Sequence, residues 1–341
     1  MRAIDRLREK AASRLRAPER GGVILLYHRI ADVPLDPSGL SVSPARFEAH
    51  IEWLARRTRP CRLERMTAGG GADSLRSAVA VTLDDGYADN LRVAKPILER
   101  LEIPATVFIP SGAVGRQTPF WWDELETLVF AADALPETLD LEIGGGRVTA
   151  RVRDDGGRRD RSGRYRGWRV WRGPARTPRQ NLYERLWRAL RGLREPEQRA
   201  GLDAVAAWAG VSERPAPAHP LLDAAGVREL LGGGLIDLGA HSMTHPSLPD
   251  HPPAVQREEI VEGRGRLGEA IGCTTTAFAY PYGAHDDTTV EIVREAGFER
   301  AVTTTWGAVT PASDPHRLPR LSIADWEPRL FERRVTRFLF G

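Results

Sequence analysis

The chain alternates short apolar runs with amphipathic stretches. Val23–Tyr27 (VILLY) is wholly apolar, and Val79–Leu83 (VAVTL) and Ala105–Ile109 (ATVFI) are each broken only by one Thr. Such runs mark strands buried on both faces. After the first, Ser43-Pro44 predicts a helix start, with Ser as N-cap and Pro at the first position. Phe47, Ile51 and Leu54 then follow at helical spacing. The second run leads into Asp84-Asp85-Gly86 and then a helix to about Leu101, and a third helix is expected over Phe120–Ala132. The period then changes. Leu139–Trp171 alternates apolar and polar positions with glycines at 144–146 and 156–157, which predicts small antiparallel hairpins. Helices near Arg179–Leu193 and Glu195–Ala209 and a Pro-rich joint at Arg214–Pro220 follow. From Asp223 the α/β rhythm resumes, with strands at Ile236–Ala240, Thr276–Ala279, Ala301–Thr305 and Leu318–Ile323 and a closing helix at Glu327–Phe340. About seven strands alternating with helices predict an α/β protein with a parallel sheet, open or closed into a barrel, carrying an α+β insertion at 115–220.

Composition narrows the class. The 341 residues are 41% hydrophobic, enough for a full core, so disorder and small disulfide-stapled scaffolds are excluded. No apolar run approaches 18 residues, so no transmembrane helix is expected. Cys61 and Cys273 lie far apart and outside any CxxC motif, which argues against a Cys-based metal site. Residues 1–21 read as a basic helix or arm ahead of a 22–341 domain. They lack a secretory h-region, so a cytoplasmic location is expected. Their narrow apolar stripe (Ile4, Leu7, Leu15) leaves peripheral contact with the inner face of a membrane open. Net charge is +3, yet Arg147–Arg179 holds 12 Arg against three Asp, so the excess is concentrated there. Tyr165, Trp168 and Trp171 are interleaved with these arginines, but no nucleic-acid motif accompanies them and no nucleic-acid partner is expected.

Polar residues gather past the C-terminal ends of the expected strands, the edge where parallel α/β proteins build active sites. His28 follows VILLY, Asp84 and Asp85 follow VAVTL, and His241 follows IDLGA with His245 four residues on. Asp85, His241 and His245 form a two-His, one-carboxylate set suited to a divalent ion such as zinc, and an i,i+4 His pair on a helical turn converges on one ion. Asp84 and Asp85 side by side need a cation, and one as ligand with the other as base removes the conflict. His50, His219, His251, His285 and His316 read as structural or exposed.

Three motifs now resemble those of the polysaccharide deacetylase family of carbohydrate esterases, in order. Thr82–Gly86 (TLDDG) resembles T-F-D-D-G, His241–Pro246 (HSMTHP) resembles H-[S/T]-x-x-H-P, and Phe278–Gly283 (FAYPYG) resembles F-R-P-P-Y-G. The resemblance implies a distorted β/α barrel of the NodB type with fewer strands than a TIM barrel. It implies Asp84 as general base, Asp85, His241 and His245 as ligands of Zn²⁺ (or Co²⁺, Mn²⁺, Ni²⁺), the Tyr282 amide as oxyanion donor, and Pro281 beside the substrate. The implied reaction removes N-acetyl groups, with O-acetyl groups left open, from an amino-sugar oligosaccharide, polysaccharide or lipid-linked glycan in bacterial envelope biosynthesis. Two departures matter. The usual Arg of the third motif is Ala279, and Arg320 is the candidate replacement. The late Leu-x-His is missing, and the first strand ends Leu26-Tyr27-His28, as in the permuted poly-N-acetylglucosamine deacetylases, which makes His28 the candidate acid. A non-catalytic glycan-binding module on the same fold is the alternative. In the insertion, Trp121 and Trp122 offer flat rings suited to sugar faces, with packing anchors as the other reading.

Overall fold

The computed structural model describes residues 21–340 apart from 70, 154–164, 166 and 215. The expected arm therefore lies outside the described residues except for Gly21, as does the middle of the Arg-rich segment. By residue contacts the chain divides into two compact units. The first comprises the described part of Met1–Asp32, with Ser41–Gly115 and Leu222–Gly341, and the second Val33–Leu40 with Arg116–Leu221.

The first unit holds seven parallel strands: β1 (Val23–Tyr27), β2 (Ala78–Asp84), β3 (Ala105–Ile109), β4 (Ile236–Ala240), β5 (Ala277–Ala279), β6 (Arg300–Val302) and β7 (Leu321–Ser322). Their order is β6-β5-β4-β3-β2-β1-β7, so strands consecutive in sequence are neighbours up to β6. A short strand at Arg59–Pro60 also pairs with the start of β2. The last segment touches both ends of this row. Leu25 of β1 pairs with Leu321, while Leu318 forms a parallel bridge to Val302. Thr303 N–H donates to Leu318 O and Arg320 N–H to Thr305 O, both at 2.9 Å. Residues 318–322 thus close the curved sheet into a β/α barrel.

The strand alternation explains why VILLY must be apolar throughout. Val23, Leu25 and Tyr27 face outward onto Phe47, Ile51 and Leu54 of helix Pro44–Arg57. Ile24 faces inward and meets Ala80, Phe108, Ala279 and Val302. The same inward cluster joins Phe108 to four alanines (Ala78, Ala80, Ala277 and Ala279) and to larger aliphatic side chains. Gly239 on β4 makes that ring possible, because a Cβ there would stand 2.2 Å from Phe108 Cδ1. By the same two-residue period, Thr82 and Asp84 continue inward from Ala80 toward the C-terminal mouth.

Several local expectations are revised. The helix expected after Asp84 is a turn, then a π-turn (Asn90–Ala94), then a short helix (Lys95–Arg100). The wider turn brings Asn90 onto the backbone of His28, where its Nδ2 donates to the carbonyl at 2.8 Å. Ser43 heads its helix without a side-chain cap of its own. Its N–H and Oγ donate to Asp325 Oδ1 at 3.0 and 2.9 Å instead, which gives the late Asp a structural job.

Among its described residues the second unit contains one antiparallel hairpin (Thr138–Ile143 with Gly146–Arg151), where several were expected over Leu139–Trp171. Its helices include Trp121–Glu126, Pro178–Leu190 and Glu195–Trp208. Trp168 and Val170 alternate as a strand would, but Val170 N–H donates to Pro37 O, and this ties Val33–Leu40 into the unit. Arg179 is fully buried and its Nη1 donates to the carbonyls of Val129 and Ala132 at 2.7 and 2.8 Å. That arginine satisfies helix-end carbonyls and is not part of a solvated charged face.

Candidate active site

The site forms at the C-terminal mouth of the barrel. β2 delivers Asp84 inward and Asp85 just beyond it; β4 delivers His241, and the loop after it His245. The spacing of the two histidines is not that of a helical turn, as the sequence suggested. The loop turns because Ser242 and His245 adopt left-handed backbone, φ 64° and 66°. Asp85 (φ 79°) and Tyr282 (φ 58°) do the same, so four of the six left-handed non-glycine residues among those described lie at this site. Each such residue costs on the order of 1 kcal/mol, and clustered strain marks functional geometry.

Asp85, His241 and His245 are buried, and one potential ligand atom from each lies within 4.8 Å of the others. Asp85 Oδ1 stands 3.6 Å from His241 Nε2 and 3.5 Å from His245 Nε2. Ligands sharing a tetrahedral ion at bonds of about 2.0–2.2 Å are about 3.3–3.6 Å apart, so the spacing fits a common cation. His241 Nδ1–H donates to Ala279 O at 2.6 Å, which leaves the Nε2 lone pair facing the carboxylates. Burial pushes the His241 pKa down, against the pull of Asp84, so the ring is neutral as a ligand must be. The donor set and its spacing fit zinc or a similar divalent ion.

Asp84 is held differently. Its Oδ1 and Oδ2 accept from Arg320 Nη1 and Nη2 at 2.8 and 2.7 Å. The same guanidinium donates to Thr303 O and Thr82 Oγ1 and lies over the Phe108 ring, 5.7 Å from its centroid. Burial alone would raise the Asp84 pKa; Arg320 above all, then His241 and His28, hold the carboxyl below its usual range. The arginine missing from position 279 is therefore supplied from β7's approach, by Arg320. Ala279 fills barrel interior instead.

His28 follows β1 and lies within electrostatic reach of Asp84, Arg320 and His241. Burial lowers its pKa to about 4, with Asp84 pulling the other way. Tyr282 sits in the turn Pro281–Gly283, and its ring packs edge-on against His245 with centroids 4.6 Å apart. The structure thus brings Asp84, Asp85, His241, His245, Arg320, His28 and Tyr282 together. It does not present the three expected sugar contacts to solvent. Trp121 and Trp122 are 3% and 4% exposed, and Trp122 stacks on Phe120 at 4.5 Å, so they are packing anchors. Pro281 is likewise buried. Sequence reasoning missed Asn90 behind His28 and Glu259 behind the His241–His245 loop, because both act on backbone groups that leave no pattern in the chain.

The chain is therefore a parallel β/α barrel whose mouth carries a candidate metal centre, an Asp/His/His set beside an Arg-clamped carboxylate. A family model described as polysaccharide deacetylase matches residues 186–301, which include the second and third motifs. The curated protein YxkH of Bacillus subtilis (strain 168), assigned provisionally to polysaccharide deacetylases by its name, is 32% identical over 98 residues. That match covers 28% of this chain and 33% of YxkH. In fold, the chain is similar to the deacetylase PplD of Streptococcus pyogenes (TM-score 0.55, 18% identity, 92% of this chain and 98% of that one). It is similar also to IcaB from Ammonifex degensii (TM-score 0.56, 18% identity, 94% and 98%). Over residues 186–301 the chain is thus similar to polysaccharide deacetylases in sequence, and nearly its whole length is similar in fold to PplD and IcaB.

Proposed function

We propose that the protein is a metal-dependent deacetylase that hydrolyses N-acetyl groups of an amino-sugar glycan or its lipid-linked precursor. A role in bacterial envelope polysaccharide biosynthesis belongs to the same reading. The observation that carries it is Asp84, buried and gripped through both oxygens by Arg320, beside the Asp85/His241/His245 set. A binding-only module has no use for a buried carboxylate kept ionised next to a ligand cluster.

Asp85, His241 and His245 would hold the ion, most suitably Zn²⁺. When bound, such an ion polarises the acetyl carbonyl and acidifies water. Asp84, ionised and fixed, takes a proton from the attacking water. The Tyr282 amide is assigned to the oxyanion that forms as the carbonyl carbon becomes tetrahedral. The C–N bond then breaks, and the departing nitrogen needs a proton. His28 is neutral at neutral pH because burial lowers its pKa to about 4. The proton it delivers is therefore one that Asp84 has taken from water, passed on to the amine. Acetate and a free amino sugar result.

Acetate release from N-acetylglucosamine oligosaccharides, with Zn²⁺ supplied, tests the reading. Wild type should release acetate, and Asp84→Asn should fall about 10²–10⁴-fold at unchanged metal content. If metal-loaded wild type releases no acetate from N- or O-acetylated glycans, the reading is wrong. Among the described residues no helix is long and apolar enough to cross a membrane.

A further inference from the structure

The loop carrying both histidine ligands hangs on one buried carboxylate. Glu259 is 2% exposed. Its Oε2 accepts from the N–H groups of Met243 and Thr244 at 2.9 and 2.8 Å, and its Oε1 from Thr244 Oγ1 at 2.6 Å. These are two of the three residues between the two histidines. Within the loop, Ser242 Oγ accepts from His245 N–H at 3.0 Å. From the other side, Ser111 and Gly112 N–H donate to the carbonyls of Ser242 and Met243 at 3.1 and 2.9 Å. Two of the loop's amides therefore go to Glu259 and two of its carbonyls to the chain after β3.

Glu259 is aimed by its helix. Between helices Pro253–Arg257 and Gly263–Ile271 lies a π-turn, Glu258–Glu262. An inserted residue of this kind redirects side chains and recurs at functional sites. Gln256, Glu259, Ile260, Gly263 and Leu267 are the buried positions along this stretch. Gly263 lets the helix approach, since a Cβ there would stand 2.9 Å from Met243 N and from Ser242 C.

We propose that Glu259 is a positioning residue for the metal centre. It holds the left-handed turn that keeps His241 and His245 on one ion, and so sets metal affinity without touching the metal. The inference rests on the reading of Asp85, His241 and His245 as ligands. A ligand loop without such a brace must be ordered by the ion itself, and support of this kind is typically worth about 10–100-fold in metal affinity.

Zn²⁺ alone is the probe, titrated against a chromophoric chelator at a temperature well below the melt, with metal-free melting recorded for each variant. Glu259→Ala should bind Zn²⁺ about 10–100-fold more weakly than wild type. Glu259→Gln keeps one oxygen for the two amides and should retain most of the affinity. Thr244→Val, which removes a single hydrogen bond, should fall between them. A purely structural glutamate would lower the metal-free melting temperature and leave the affinity of the folded protein unchanged, and that result overturns the proposal. If Glu259→Ala does not fold, Thr244→Val decides, and a Zn²⁺ affinity within twofold of wild type overturns it. Wild type that takes up no Zn²⁺, or His241→Ala that takes up as much as wild type, overturns the ligand assignment and the inference with it. Normal uptake lost in His241→Ala but kept in Glu259→Ala removes only the role of Glu259.

Discussion

Asp84 and Arg320 form the most exacting pair in the molecule. Both are buried, and the pair has two parallel hydrogen bonds. Removing one partner of such a pair leaves an uncompensated charge and typically costs about 3–5 kcal/mol. Arg320→Met should show this loss in denaturant unfolding at neutral pH. The sign follows from Asp84. With Arg320 its carboxyl sits below the usual range, so its contribution is present at neutral pH and is lost as pH falls through that low value. Without Arg320 burial dominates and the pKa rises, so the deficit of the variant should shrink toward acid pH. The acid limb of its residual activity should move upward for the same reason. Arg320→Lys should rescue little, because an ammonium cannot make the paired contact. Arg320 was legible in the sequence only through a gap, the alanine where the third motif usually has arginine. The clustering of Asp85, His241 and His245 was legible because candidate ligand chemistry is written in residue type. Trp121 and Trp122 misled because an aromatic dipeptide reads the same whether it packs a core or faces a sugar.

At the level of elements, two contacts make sharp predictions. His50 lies on helix Pro44–Arg57, its ring stacked on Phe331 of helix Pro328–Leu339 with centroids 4.0 Å apart. Its Nε2–H donates to Trp326 O at 2.9 Å. Burial lowers its pKa from 6.5 to about 4. Between those values the unfolded chain binds a proton that the folded one does not, so stability is full above pH 6.5 and declines as pH falls toward 4. The decline amounts to about 3 kcal/mol in total by linkage. Urea unfolding at pH 7 and pH 4.5 should show His50→Gln losing less stability on acidification than wild type. The second contact is Gly239 against Phe108. Gly239→Ala overpacks the barrel interior and should cost about 1–3 kcal/mol. Because Phe108 also supports the guanidinium of Arg320, the change should disturb Asp84 as well. Adding Phe108→Leu should recover part of the stability, a coupling that a double-mutant cycle would register. The strands were legible because burial on both faces demands apolar runs. The π-turns were not, since one extra residue in a helix leaves the apolar spacing almost intact. Nor was the membership of Val33–Leu40 in the second unit, which depends on backbone pairing with Val170.

For the whole molecule, a metal held as proposed by Asp85, His241 and His245 should stabilise the first unit, whose β2 and β4 ends carry all three residues. At free Zn²⁺ 100-fold above its dissociation constant the gain is about 2.7 kcal/mol. Chelation should therefore lower the melting temperature of wild type by several degrees while leaving His241→Ala unaffected; equal responses from both proteins would argue against binding at these residues. The barrel's closure has a further consequence, in time rather than in space. Asp84 and Arg320 are 236 positions apart in the chain. At synthesis rates of about 5–20 residues per second, the carboxylate emerges about 12–47 seconds before the arginine that neutralises it. Strands β1 to β6 can pair in the order they appear, but the mouth of the barrel must stay open to water until residue 320 arrives, because sealing Asp84 earlier would bury a lone charge. The last strand is thus the natural late step of folding, and a nascent chain arrested before it should be held as an open, protease-sensitive sheet.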